Sequence, residues 1–591
     1  MADQPTIFEL KSLPGVRRDG TDLANMFYQD AQWVRFQRGQ PRKMGGYRLI
    51  EDVLYGPVRD VFVDARASGF SAHLCSPRGV DKVAFAVDGA SGGVTTRLST
   101  AVAGFVPNSS YLWQSTFMTQ SGGSGTPTYI ACCTPDADNL ASDDVGTIWS
   151  GDVALNTPLT QVQDGTGPVT VSGGIAVLQP FLFVFGSNGL IRNSNANDIS
   201  SGSGWTTGGA NYANSANPCG SKVVAALPMR GGGQSPAGVF WSLDSVLRVS
   251  FTGGANIWRY DTLTDSSSIL SKKAPVEYDG VYYWVGVDRF YLYNGTVQEL
   301  PNDMNLNWFF DNINPDHRQK VWAWKVPRYG EIWWFFPYGS STECNAAVIY
   351  NVREKTWYDA LLVRTAGAPA RVCPAPVACG ESESYLTLAY TATATTPLIN
   401  QGETLTGGTT GATAIVERNN TGASEFVVRN VVGIFSASET VTASGGGITA
   451  QLNSADWQDY AKLWMHEVGT DRVERDAATA INTYCETTNF QWMSGGPPDG
   501  QPGGPNLQTR LLRVEPDFLM SGQMTVQTTG RSYAQSVKVL GTEHTFDANT
   551  EFIDMRDQFR EIALKFTCNA QGATFQMGRI FITAEPGDAR G

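Results

Sequence analysis

Between residues 60 and 360 the chain keeps returning to one pattern. A short apolar run meets a turn of Gly, Asn or Asp, a second run follows, and an aromatic often precedes the next loop. KVAFAVDGASGGVTTRL (82–98), FLFVFGSNGLIRNS (181–194), GVFWSLDSVLRVSF (238–251) and GVYYWVGVDRFYLYNGTVQEL (280–300) all follow it, as does EIWWFFPYGSSTECNAAVIYNVREKTW (331–357). Such runs read as β-hairpins, and hairpins returning about every 40 to 60 residues read as blades of a β-propeller. A blade cannot bury both its faces alone, so its inner strands become continuous apolar runs packed between neighbours. Trp333, Trp334, Phe335 and Phe336 are expected to form such a strand, with Trp357 as the closing aromatic. Each buried ring contributes about 2–3 kcal/mol, so this stretch is expected to hold structure together rather than to react.

A chain of 591 residues exceeds what one ordinary core serves. By texture it divides into an N-terminal docking and closure segment (1–58), a propeller body (59–394), a Gly/Thr-rich insertion (395–453) and a C-terminal β part completing the body (454–591). The insertion repeats itself: GETLTGGTTGATAIV (402–416) is echoed by SETVTASGGGITAQL (438–452), which aligns Glu403 with Glu439 and Ala414 with Ala450. Few aromatics and much Thr, Val and Gly suggest a compact, projecting β-barrel or sandwich. One helix is expected in NDMNLNWFFDNINP (302–315), where Leu306, Phe309, Phe310 and Ile313 share a face, Asn302 or Asp303 caps and Pro315 stops. A Gly/Pro-rich loop follows at 494–505. Near the end, Ile562, Leu564, Phe566 and Cys568 alternate, and Phe575 and Met577 continue into Ile580 and Ile582 across an expected bulge at Gly578. A C-terminal strand pairing with the N-terminal region would close the ring and remove its free edge.

Chemistry is scarce. The four histidines, His73, His317, His466 and His544, fit no ligand spacing. Nine cysteines form no CxxC and no paired framework, which suits reduced, buried thiols. No nucleophile elbow or phosphate loop occurs. DADNLASDDVG (136–146) loosely resembles a calcium loop but lacks Gly at the sixth position and Glu at the twelfth, so it is expected to be a solvated acidic loop. Asp244, Asp288 and Glu331 could serve a glycosidase, yet their spacing matches no motif and the repeated Ser/Asp/Trp box of sialidase propellers is missing. No catalytic, cofactor or metal residues are assigned, and the chain is read as no enzyme. A net charge of −13 argues against tight nucleic-acid binding. The N-terminus has acidic residues where an export signal would be apolar, and no apolar run approaches the ~18 residues of a membrane helix, so a cytoplasmic origin without stable membrane association is expected.

One segment runs against the acidic background. QWVRFQRGQPRKMGGYR (32–48) carries Arg35, Arg38, Arg42, Lys43 and Arg48 on what reads as a hairpin. It is expected to dock another acidic subunit, with contact to DNA phosphates as the second reading. VRFQRGQPRKMGGYR, the run GVYYWVGVDRFYLYNGTVQELP followed by DMNLNWFFDNIN, and EIWWFFPYGSSTECNAAVIYNVREKTWYD together resemble the tail nozzle family of short-tailed bacteriophages. Its members are also called tail tubular protein B or packaged-DNA stabilisation protein. The resemblance covers roughly residues 14–50 and 220–360, and more weakly 460–590. It implies a six-bladed propeller, a homo-hexameric ring in the virion tail below portal and adaptor, and a lumen through which the genome leaves with only transient contact. It also implies retention of packaged DNA and docking of fibres or a needle, and no cofactor. The alternative is a carbohydrate-binding or depolymerising propeller that recognises a receptor, resting on aromatic-rich loops where sugars would stack.

Overall fold

A computed structural model describes residues 5–22, 25–66, 69–119, 127–153, 157–200, 202–207, 212–229, 236–254, 257–391, 399–421, 424–445, 448–492, 507–533 and 535–589. The expected Gly/Pro loop at 494–505 lies outside them. The fold is all-β and is a multi-bladed propeller. Six antiparallel sheets of four strands in simple meander order follow one another from Asp60–Arg66 to Thr356–Leu361, the second carrying one short extra strand. Tight approaches require glycine at places: Gly79 turns the first blade at φ +140°, and a Cβ there would lie 1.8 Å from the Leu98 carbonyl oxygen. Faces of successive blades meet in separate apolar clusters, such as Trp113, Tyr129 and Trp149 against Cys75 and Leu98 between the first and second.

The six consecutive meanders do not close the ring by themselves. A composite seventh sheet of Ala366–Ala368, Val377–Tyr390, Thr449–His466 and Tyr47–Tyr55 stands between the sixth blade and the first. On one side Ala366, Cys379 and Leu463 pack with Val61, Leu74 and Phe85 of the first blade. On the other, Ala378 and Trp464 join Trp322, Trp324 and Phe335 of the sixth.

Closure was expected from a C-terminal strand. That strand does pair with the N-terminal region, Thr6 opposite Ala584, but within a separate two-sheet layer. The strict alternation of 561–568 gives one apolar face, which suits one layer of a sandwich better than a blade buried on both sides. The facing sheets meet through Phe518, 5.1 Å from Phe566 and 5.8 Å from Phe546. The bulge at Gly578 is present: Pro516 pairs Ile580 while Phe518 pairs Met577.

The insertion is a closed barrel. Strands Thr404–Gly407, Thr413–Asn420, Glu425–Val432 and Thr440–Ala443 are joined into a cycle by the far ends of the two long strands of the seventh sheet. Its repeat is a pseudo-two-fold: Thr406 pairs Thr442 across the axis, and Leu405 pairs Ala443 as Gly407 pairs Val441. Glu439 accepts from the Thr409, Thr410 and Ser436 amides, and its repeat mate Glu403 sits against Gly445. The helix spans only Leu306–Asn312. Asn302 caps the turn before it, while the helix amides of Asn307 and Trp308 donate to Asp19, far away in sequence.

Candidate functional site

The basic segment folds as the expected hairpin, Val34–Gln37 against Gln40–Lys43, with Arg38 and Gly39 at its turn in positive φ. It is wedged between the sixth blade and the C-terminal layer, so both faces of its first strand are covered and Val34, Arg35 and Phe36 are all buried. The five basic residues therefore divide. Arg35 is 1% exposed and turned inward, and Lys43 is buried with its Nζ donating to the Ala573 carbonyl at 2.9 Å. Neither offers a docking surface from this position. Arg38 is exposed, and the carboxylate of Glu354 accepts from its amide and that of Gly39. Arg42 donates to Gln37, and Arg48 to the Asp88 carbonyl, both half-buried at the surface. A groove of about 490 Å³ runs beside Arg42 and Arg328, rimmed by Leu519, which is 75% exposed.

Arg35 is the centre of a buried ion network. Its Nε lies 2.9 Å from Glu331 Oε1, its Nη1 donates to Glu467 Oε2 at 3.0 Å, and its guanidinium sits 3.6 Å over the Tyr329 ring. Glu331 is fully buried and also accepts from Trp333 Nε1 (2.9 Å) and the Tyr358 hydroxyl (2.8 Å). Burial pushes its carboxyl up, and Arg35 pulls it back. Around it the strand Glu331–Phe336 is buried throughout, as its sequence requires. Trp333 and Phe335 face the hairpin, the seventh sheet and the C-terminal layer, whereas Ile332, Trp334 and Phe336 face the fifth blade and the helix. Trp357 stacks near Trp334, with centroids 6.0 Å apart.

A second charged site was not foreseen. The 136–146 loop is solvated at Asp138, Asp143 and Asp144, but Asp136 is fully buried. It pairs with Lys272 and, at 3.4 Å, with Lys222. Lys273 pairs with Asp60, and Arg59 and Lys320 share Glu343 at 2.5 and 2.9 Å. Gln319 donates to the Ala137 carbonyl. These contacts join the second blade to the fourth, fifth and sixth, and the fifth to the first. Blades that are not neighbours can meet only across the axis, so the propeller is plugged at this level. Burial pulls the Lys272 ammonium down against Asp136, and burial of Glu343 is outweighed by Arg59 and Lys320, which hold its carboxyl low. A signal for this site exists in the sequence: a basic residue stands just before the first strand of several blades, at Arg59, Lys222, Lys272–Lys273, Lys320 and Arg364.

The candidate carboxylates are not brought together. Asp244 accepts from Ser221 and Ser242 on the fourth blade, Asp288 pairs with Arg289 on the fifth, and Glu331 belongs to the network above. A crevice of about 730 Å³ lies between Trp33, Tyr47, Leu361 and the 472–482 segment, and its charged lining is Arg472, Glu474 and Arg475. Among the described residues no cluster of three or more His, Cys, Asp or Glu has metal-holding geometry, and no helix is long and apolar enough to cross a membrane. All nine thiols are free and eight are buried.

No protein-family model and no curated protein matches the chain. Solved structures to which it is similar include an exported protein of Bacteroides fragilis, with 9% identity and a TM-score of 0.25 over 45% of this chain and 84% of that one. Another is a glycoside hydrolase, with 7% identity and a TM-score of 0.24 over 90% of this chain and 99% of the other.

Proposed function

We propose that the chain is a structural protein of a virion tail, a nozzle-like subunit that assembles as a ring around the path of the leaving genome. One observation carries the reading. The first stretch that resembles the nozzle family lies far in sequence from the other two, yet all three dock on one another. The 34–43 hairpin seats on the sixth blade through Arg35 and Glu331, through Asn351 donating to the Phe36 carbonyl, and through Glu354 at the hairpin turn. The helix of the second stretch packs Phe309 4.7 Å from Phe336 of the third. They behave as one unit, with Arg38 and Arg42 left at its surface for a neighbouring acidic subunit. Because the propeller axis is plugged, DNA would pass through a lumen enclosed by several copies, not through a single chain. The proposed partners are further copies of the chain in a hexamer, a tail adaptor, and fibre or needle proteins.

The carbohydrate reading leaned on aromatic loops open to solvent. Here the aromatic hairpins are turned inward, and the exposed rings, Trp457 and Tyr533 among them, are scattered. Quantitative mass spectrometry of purified particles, scaled to a known tail component, tests the proposal. About six copies per particle are expected from the resemblance. Absence from particles, or a copy number typical of trimeric spikes, would reject it.

A further inference from the structure

At the plugged axis lies a small cavity of about 20 Å³, room for a single water-sized occupant. Among the described residues its lining includes Arg59, Lys272, Lys273 and Lys320, and no carboxylate. The acids that pair with these cations, Asp60, Asp136 and Glu343, lie outside the lining. Counting Lys222, five cations meet three carboxylates here, an excess of positive charge in a chain whose net charge is −13. Two lining residues also keep a buried N–H without an acceptor: Nε of Arg59 and Nε1 of Trp113, with Trp113 only 1% exposed. Buried donors left unpaired and buried charge left unbalanced are both unfavourable. A water brings lone pairs but no charge. From the geometry, we infer that the axial cavity binds one small monatomic anion, of the class chloride represents.

Such an ion accepts from the orphaned donors and offsets half of the excess charge at the point where the first, second, fifth, sixth and seventh sheets converge. It would tie those blades together at the axis, independently of whether the protein is a tail component. Phosphate is too large for a cavity of this size, so the site selects by volume as well as by charge.

The test is urea unfolding of the full chain in sodium chloride or bromide against sodium gluconate at equal ionic strength, which holds ordinary screening fixed. Above the dissociation constant, each tenfold rise in halide should raise the apparent folding constant about tenfold. Trp113→Phe keeps an aromatic ring against Phe105 and Tyr111 but removes the donor, so it should fold and need a higher halide concentration before its stability begins to rise. Crystals grown in bromide should show an anomalous peak between Arg59 and Trp113. Equal midpoints in chloride and gluconate would overturn the inference. So would an unchanged halide response in Trp113→Phe, or a bromide-grown crystal with no anomalous peak in the cavity.

Discussion

Replacing Arg35 with Met separates a docking arginine from a structural one. Methionine keeps much of the apolar stem and removes the charge, so packing changes little while Glu331 and Glu467 lose their cation. Glu467 reaches solvent, with its side chain 15% exposed, whereas Glu331 is at 0% and keeps only the Trp333 and Tyr358 donors. Breaking a buried pair from one side destabilises by about 3–5 kcal/mol. Protonation sets the ceiling. Burial already raises the Glu331 carboxyl, and without Arg35 it rises further, so the folded variant holds a proton that the unfolded chain releases near pH 4 to 5. Variant stability is then highest below that window and falls as pH rises above it, through the raised carboxyl of the folded variant, by up to about 1.4 kcal/mol per unit. Urea melts at pH 5 and pH 8 measure this directly, and the deficit against the parent should be clearly larger at pH 8. Adding Glu331→Leu removes the stranded acid, so the double variant should recover at least about 2 kcal/mol of the single loss. If Arg35→Met stays within about 1 kcal/mol of the parent at both pH values, or the double variant is as unstable as the summed singles, the network is not what holds the hairpin.

Three further outcomes are expected. Trp334→Ala should cost about 3–5 kcal/mol through the cavity it leaves, and Trp334→Phe about 1 kcal/mol through the lost 3.0 Å bond to the Ala274 carbonyl; equal melting temperatures for parent and alanine variant would contradict this. Arg38→Glu with Arg42→Glu should leave unfolding within about 0.5 kcal/mol of the parent and reduce incorporation into particles, and normal incorporation would end the docking role. Asp52 is pushed up to about 6 by burial and by the charge of Glu417, against the pull of Arg475. Its contribution is fully present below about pH 4 and is lost as pH rises through 6, a change of about 3 kcal/mol; Asp52→Asn should flatten that part of the pH–stability profile, and an unchanged profile would rule Asp52 out.

Much of the architecture was legible because it is written locally. Gly and Asn turns between apolar runs place the hairpins, and the uninterrupted run 331–336 announces burial on both faces. The 36-residue register of Glu403 and Glu439 reappears as the barrel's pseudo-two-fold. What was hidden depends on partners distant in sequence. The basicity of Arg35 reads as surface until Glu331 and Glu467 are known to meet it. Asp136 looks solvated beside Asp138 for the same reason, since its lysines come from the fourth and fifth blades. The helix takes its cap from Asp19, and no window around residue 306 contains that residue. The seventh sheet draws on three separate stretches, none of which carries the aromatic hairpin pattern of a blade.

That seventh sheet sets an order on the birth of the protein. As the chain leaves the ribosome, the first six blades can form only an open arc, its two end faces bare. Strand 47–55 is made early and must wait until residue 466 has emerged. The barrel shortens the wait. Its own strands are neighbours in sequence, so it can fold as a local unit, and in doing so it brings strands 377–390 and 449–466 side by side. A connection of nearly sixty residues then behaves as a tight turn, and the entropy of closing that long loop is met by the barrel's own packing. The projecting module thus serves as the fastener's guide, delivering two aligned strands at once to the gap in the ring.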